Sequence, residues 1–228
     1  MTLSRRLSPP SIRGFAPPLT TGSRVGLEQI GRALADPHSA LPELLRPTMR
    51  LLVEEVRLLE SRIGQLEVQL TQLARESAAC KTLLTVPGVG LLTATAMVAA
   101  TSGDVTHFKD ARHFASWFGL TPKESSSGTT RRLGRISKRG DRYLRMLLTH
   151  GARSVLRAAT VADRQGKKID DLRRWALTVQ DRTHHNRATC ALANKMARIC
   201  YAVLRDHQDY GAARIERKVR RETYAQPA

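Results

Sequence analysis

The chain has 228 residues, with 38 Lys plus Arg against 20 Asp plus Glu, a net charge of +18 and a sequence pI near 11. That balance selects polyanionic partners, nucleic acid first, while a 41% hydrophobic fraction is enough for a folded core rather than a basic tail. Aromatics at 4% argue against a surface of base-stacking platforms, and Cys80, Cys190 and Cys200, without CxxC spacing, argue against a disulfide framework or a cysteine zinc site.

Residues 1–40 are rich in Pro, Gly, Ser and Arg without periodicity and read as a poorly ordered linker or a truncated remnant. They hold no apolar run of the signal-peptide kind, and no stretch of the chain reaches the ~20 apolar residues that span a bilayer. No membrane is therefore expected, and the setting is a reducing cytoplasm, in association with the nucleoid.

From Leu45 the pattern sharpens. Leu45, Met49, Leu52, Val56, Leu59, Ile63, Leu66, Leu70 and Leu73 alternate steps of four and three, the seam of a coiled coil within residues 41–79. Pro47 places the start of the helix, and Gly64 weakens it by about 1 kcal/mol relative to Ala. Such a seam calls for a partner helix and predicts a homo-oligomer through residues 45–73; the simpler alternative is one amphipathic helix lying on its own domain.

After Cys80 comes KTLLTVPGVGLLTATAMVAA: a helix end, a turn and a second, uncharged helix. This is a helix-hairpin-helix pattern, in which Gly88 and Gly90 permit positive φ and close backbone approach to a phosphate. A tight turn between two packed helices explains it equally well. Phe108, Phe114, Trp117 and Phe118 follow as core.

A hydroxyl-rich loop, Ser125, Ser126, Ser127 and Gly128, then runs into a dense array of cations. Between Lys123 and Arg157 stand Lys123, Arg131, Arg132, Arg135, Lys138, Arg139, Arg142, Arg145, Arg153 and Arg157 against Glu124 and Asp141, a segment charge of +8. Such a field attracts a phosphate backbone and lowers the cost of charge developing on it, although a solvated basic face is the common meaning of a cation run. Asp141 to Thr160 carries Leu144, Leu147, Leu148, Ala152, Val155 and Leu156 at helical spacing, a basic amphipathic helix. Residues 161–185 read as helix and loop, and 186–206 as a helix whose apolar stripe is Leu192, Met196, Ile199, Cys200, Val203 and Leu204. Residues 211–228 are a charged tail. His184 and His185 are adjacent and point to different faces, so no metal pair is expected, and no phosphate-binding Gly-rich loop ending in Lys-Ser or Lys-Thr is found. The fold class is mainly α, a long coiled-coil helix followed by a compact helical domain at 80–210.

The order of these segments, a leucine heptad helix, LLTVPGVGLLTATAMVA, FASWFGLTPKESSSGTTRRLGRISKRGDRYLR and then ALANKMARICYAVL, resembles the C-terminal half of the DEDD transposases of bacterial insertion sequences, the IS110 (IS116/IS902) family. The resemblance implies a recombinase that cuts and rejoins DNA with a structured guide RNA. It also implies a nucleophilic serine, which falls on Ser127 here, with adjacent Ser126 as second candidate. The nucleic-acid contacts expected from the glycine turn and the cation run are Gly88, Gly90, Arg131, Arg132, Arg135, Lys138, Arg139, Arg142 and Arg145. In the family a metal domain with four acids precedes the heptad helix. Only Glu28 and Asp36 stand in the first forty residues here, so the chain reads as an N-terminally truncated transposase, with magnesium expected only alongside the missing domain. The alternative is a non-catalytic helix-hairpin-helix module that binds DNA.

Overall fold

A computed structural model describes residues 23–127, 130 and 132–212, with the side chains of residues 23 and 24 excepted. The chain divides into two compact units, Met1–Val68 and Gln69–Ala228. Among the described residues the architecture is mainly α, with a single two-stranded sheet.

Residues 23–40, expected as linker, instead carry helix α1 (Ser23–Ala35). Its C-terminal end is tied to the start of the long helix α2 (Arg46–Glu76) by one side chain. The buried Arg46 donates to the carbonyls of Leu34 at 3.2 Å and Asp36 at 3.0 Å and to Ser39 Oγ at 3.0 Å, and it pairs with Glu43 at 2.9 Å. A helix end leaves carbonyls without partners, and a guanidinium is well shaped to collect several of them. Leu27, Ile30 and Leu34 recur at helical spacing on the less exposed face of α1, a short period that the Pro, Gly, Ser and Arg of the preceding residues mask in the sequence. Residues 1–22 and 213–228 lie outside the described residues.

Helix α2 begins where Pro47 allows, since proline is tolerated in a first turn that lacks donors to lose. Along its length Leu52, Leu59, Ile63, Leu66 and Leu73 are exposed, while Val53 and Ala74 are buried. Residues of the predicted seam thus leave apolar side chains exposed along α2.

Ser77 caps helix α3 (Ala78–Leu84) by accepting from the Cys80 amide at 3.2 Å. A turn then leads to α4 (Leu91–Thr101). Helix α5 (Ala111–Trp117) starts at Asp110, whose carboxylate accepts from the amides of Arg112 and His113. Phe114 and Phe118 are fully buried and meet edge to face, with ring centroids 4.8 Å apart; Phe108 and Trp117 complete the aromatic core that the sequence predicts.

Strands β1 (Pro122–Glu124) and β2 (Leu133–Ile136) pair antiparallel, with Pro122 opposite Ile136 and Glu124 opposite Leu133 across a bulge. The serine segment expected as a loop is therefore the outer part of a β-hairpin. Helices α6 (Arg142–Arg164), α7 (Asp171–Arg182) and α8 (His185–Asp206) close the domain. Leu192, Ala193, Met196, Ala197 and Cys200 of α8 are wholly buried, and α3, α5, α6 and α7 all pack on this helix. Burying such a stripe contributes about 1.5–3 kcal/mol per large side chain, the main stabilisation available to a helix of mixed propensity.

Candidate nucleic-acid interface

The serine hairpin is held at both ends of its length. At its outer part Ser125 donates its amide to the Arg132 carbonyl at 2.9 Å, and Ser127 and Thr130 exchange backbone bonds of 3.2 and 3.1 Å. At its root the ladder continues past β2: Ser137 donates to Thr121 at 2.8 Å, Lys138 to Gly119 at 3.0 Å and Asp141 to Trp117 at 3.2 Å. Gly140, at φ +117°, passes so close that a Cβ there would lie 1.9 Å from the Trp117 carbonyl oxygen. Only glycine fits that approach.

Two helices also hold this root. Asn194 of α8 donates from Nδ2 to the Leu120 carbonyl at 3.2 Å, and Arg145 of α6 donates from Nη1 to the Phe118 carbonyl at 2.9 Å and to that of Asp141 at 3.3 Å. Arg145 is half-buried, so it serves the fold where the sequence reading made it a nucleic-acid contact. Asp141, at the root, caps α6 by accepting from the Leu144 amide at 2.7 Å.

The two serine candidates differ in their surroundings. Ser126 donates to Glu124 Oε1 at 2.7 Å and accepts from the Arg132 amide at 3.2 Å. Ser127 is exposed, and its hydroxyl makes no side-chain hydrogen bond among the described residues. Ser126 is thus part of the scaffold, and Ser127 is presented to solvent. Gly128, next in line, and Arg131 of the cation array lie outside the described residues.

Arg132, Arg135, Lys138, Arg139 and Arg142 are exposed, and none of these side chains has an ion pair or hydrogen bond among the described residues. These five cations therefore stand on the hairpin and the first turn of α6 without a counter-charge among the described residues. The glycine turn behaves differently. Gly88 adopts φ +82°, and a Cβ on it would lie 2.7 Å from Val155 Cγ2, 2.8 Å from Met196 Cε and 2.9 Å from the Gly151 carbonyl oxygen. It is occupied by packing α3 and α4 against α6, the tight-turn alternative. Gly90, expected at positive φ in close approach, has φ −97° and open space where a Cβ would stand.

Beside the hairpin root lies a groove of about 1700 Å³, running from β2 along α8 to Gly211. The sequence does not announce it, because the apolar stripe dominates the pattern of α8. On its other face Arg187, Lys195 and Arg198 recur at helical spacing, and that was the available signal. Lys195 Nζ sits 3.9 Å over the Trp175 ring, and burial, followed by the charge of Arg198, lowers its pKa. Burial likewise pushes up the thiol of Cys190 on the groove floor, against the opposing pull of Arg153 and Lys138.

Residues 80–167, from α3 through the hairpin to the end of α6, match the model of the IS116/IS110/IS902 transposase family. These residues carry a transposase domain of that family. The chain is 43% identical over 171 residues to a probable family 20 transposase of Pseudomonas aeruginosa, covering 75% of this chain and 48% of that protein. It is 33% identical over 192 residues to the transposase for insertion sequence element IS1111A of Coxiella burnetii, covering 84% and 51%, and 35% identical over 166 residues to that for IS1328 of Yersinia enterocolitica, covering 73% and 47%. The chain spans about half the length of these relatives. In this transposase domain no helix among the described residues is long and apolar enough to cross a membrane. Among those residues no three His, Cys, Asp or Glu side chains could share a metal ion.

Proposed function

We propose that the chain is the DNA-handling, serine-bearing part of an insertion-sequence transposase. The observation that carries this reading is the contrast at the hairpin: an exposed serine, without a side-chain partner among the described residues, stands beyond a row of cations that likewise have none there, and the residue before it is tied into the scaffold. The cations hold a DNA backbone by charge, without reading base edges. Ser127 Oγ attacks a backbone phosphorus, a Ser–O–P ester forms, and the bond from phosphorus to one sugar oxygen breaks. The serine proton leaves to solvent or a base, and the departing sugar oxygen takes up a proton. One phosphoester replaces another, so the step is reversible and rejoining is the same step run backwards. Positive charge around the phosphorus stabilises the transition state.

The described residues bring together no three side chains that fit a divalent metal. The four-acid metal domain of the resemblance would act from another stretch of polypeptide, with magnesium. A structured guide RNA is a second polyanion suited to the same charge, and the apolar stripe of α2 is suited to pairing with a second copy.

Labelled duplex DNA incubated with the full chain, with and without a separately supplied four-acid domain, tests the reading by covalent trapping. An adduct lost in Ser127→Ala and kept in Ser126→Ala is the expected result. Salt-sensitive binding with no adduct under any condition leaves a non-catalytic DNA-binding module.

A further inference from the structure

The groove along α8 has a composition that the hairpin chemistry does not use. Its floor is apolar and small-residued, with Ala191, Ala202 and Ile199 among its members. Its walls carry Arg135, Lys138, Arg187, Lys195 and Arg198, and none of these five has an ion pair or side-chain hydrogen bond among the described residues. Three carboxylates also line it: Asp170 holds Arg173, Asp206 holds Arg205, and the exposed Asp209 stands near its Gly211 end, leaving the cations in excess. Lys195 is fixed over Trp175, half-buried and beside the exposed Arg198, so one cation is partly withdrawn from water next to a second, without a counter-charge among the described residues. An anion between them would relieve that arrangement.

We infer that this groove holds a single polynucleotide strand, phosphates on the cationic walls and bases on the apolar floor, leading to the serine hairpin. The inference rests on the nucleic-acid reading above and adds a second site to it. At about 1700 Å³ the groove exceeds the roughly 300–1000 Å³ of small-molecule sites, which points to a polymer. Arg187 and Arg198 are separated by about 16 Å along the helix axis, a span that takes in successive phosphates. A duplex turns its charged backbone outward and has no apolar face for the floor; a single strand does. Residues 213–228 are an unsuitable occupant, because Arg214, Arg217, Lys218, Arg220 and Arg221 against Glu216 and Glu222 give that segment +3. Trp175 acts here as the rest for Lys195 rather than as a stacking platform, in keeping with the scarcity of aromatics.

The test is fluorescence anisotropy of the full chain with labelled single-stranded DNA, single-stranded RNA of the same sequence and duplex DNA, each of about 16 nucleotides or base pairs, over a range of salt. The comparison is wild type, Lys195→Gln with Arg198→Gln, and Arg139→Gln with Arg142→Gln, with circular dichroism melting as the check on folding. The groove pair should bind single strands about tenfold more weakly, with a salt slope shallower by about 1.4 for two lost phosphates, and should bind duplex as before. The hairpin pair should show its main loss on duplex. A preference between the DNA and RNA strands that the groove pair abolishes identifies the natural strand. An unchanged single-strand slope in the groove pair, or polyglutamate displacing the strand as well as an unlabelled oligonucleotide does, overturns the groove and leaves the hairpin reading standing. No binding of any nucleic acid by wild type overturns both.

Discussion

Ser126 and Ser127 are identical in chemistry and adjacent in sequence, and their hydrogen bonds separate them. The Ser126 hydroxyl links Glu124 to the Arg132 amide across the hairpin, so Ser126→Ala should remove about 1 kcal/mol of local stability. Hydrogen exchange should then speed up at the amides of Ser125 and Arg132, while Ser127→Ala leaves both protected. Equal exchange in the two variants would remove the structural distinction. Sequence alone leaves this pair unranked, because nothing in SSS tells which hydroxyl the turn consumes. The same blindness explains Arg145: in the row of cations it looks like its neighbours, and only the carbonyls of Phe118 and Asp141 mark it as a fastening.

At the scale of elements, the glycine turn and the heptad helix pose opposite questions. Gly88 has a positive φ, and a Cβ added there would come within 3.0 Å of Val155, Met196 and the Gly151 backbone, so Gly88→Ala should destabilise the domain by on the order of 3 kcal/mol. A thermal melt unchanged from wild type would show that the turn can move away from α6. For α2 the stripe through Leu59 and Ile63 is exposed, and Leu59→Asp should split the expected oligomer by placing a charge in an a/d layer. Light scattering that gives the mutant the wild-type mass, itself above the monomer, would rule out the seam. Helix α5 supplies a pH handle: the amide bonds of His113, followed by its side chain, hold the Asp110 carboxyl down at about 2 from the ordinary 3.8. A depressed carboxylate stabilises the fold above its unfolded value and loses that contribution as pH falls from 3.8 to about 2. Asp110→Asn should flatten the acid side of the stability curve in that window. Helices were legible because their apolar residues recur with a period: Leu144, Leu148, Val155 and Leu156 are buried as the spacing predicts. The hairpin was not. Lys123, Glu124 and Leu133 are exposed, so its strands carry no inside-outside alternation, and backbone bonds to the segment 117–121 hold it instead.

For the whole molecule, the net charge of +18 predicts affinity for polyanions and is silent about where they sit. The fold divides the cations into fasteners, such as Arg46 and Arg145, and open charge on the hairpin and the α8 groove. Salt titration of duplex binding should separate the classes: Arg142→Gln makes the slope shallower by about 0.9, whereas Arg145→Gln keeps the slope and lowers the melting temperature. The reverse pattern would exchange their roles.

The mounting of the hairpin has a mechanical consequence. From Pro122 to Ser127 the strand reaches out about 17 Å, so the hairpin is a boom braced near its base by Asn194 and Arg145. A boom magnifies error at its hinge: a tilt of a few degrees moves its end by on the order of 1 Å, a misplacement able to slow a positioned reaction about a hundredfold. Aim at the tip is therefore set deep in the helical domain, and substitutions at those two braces should spoil the reach of Ser127 while leaving its hydroxyl untouched.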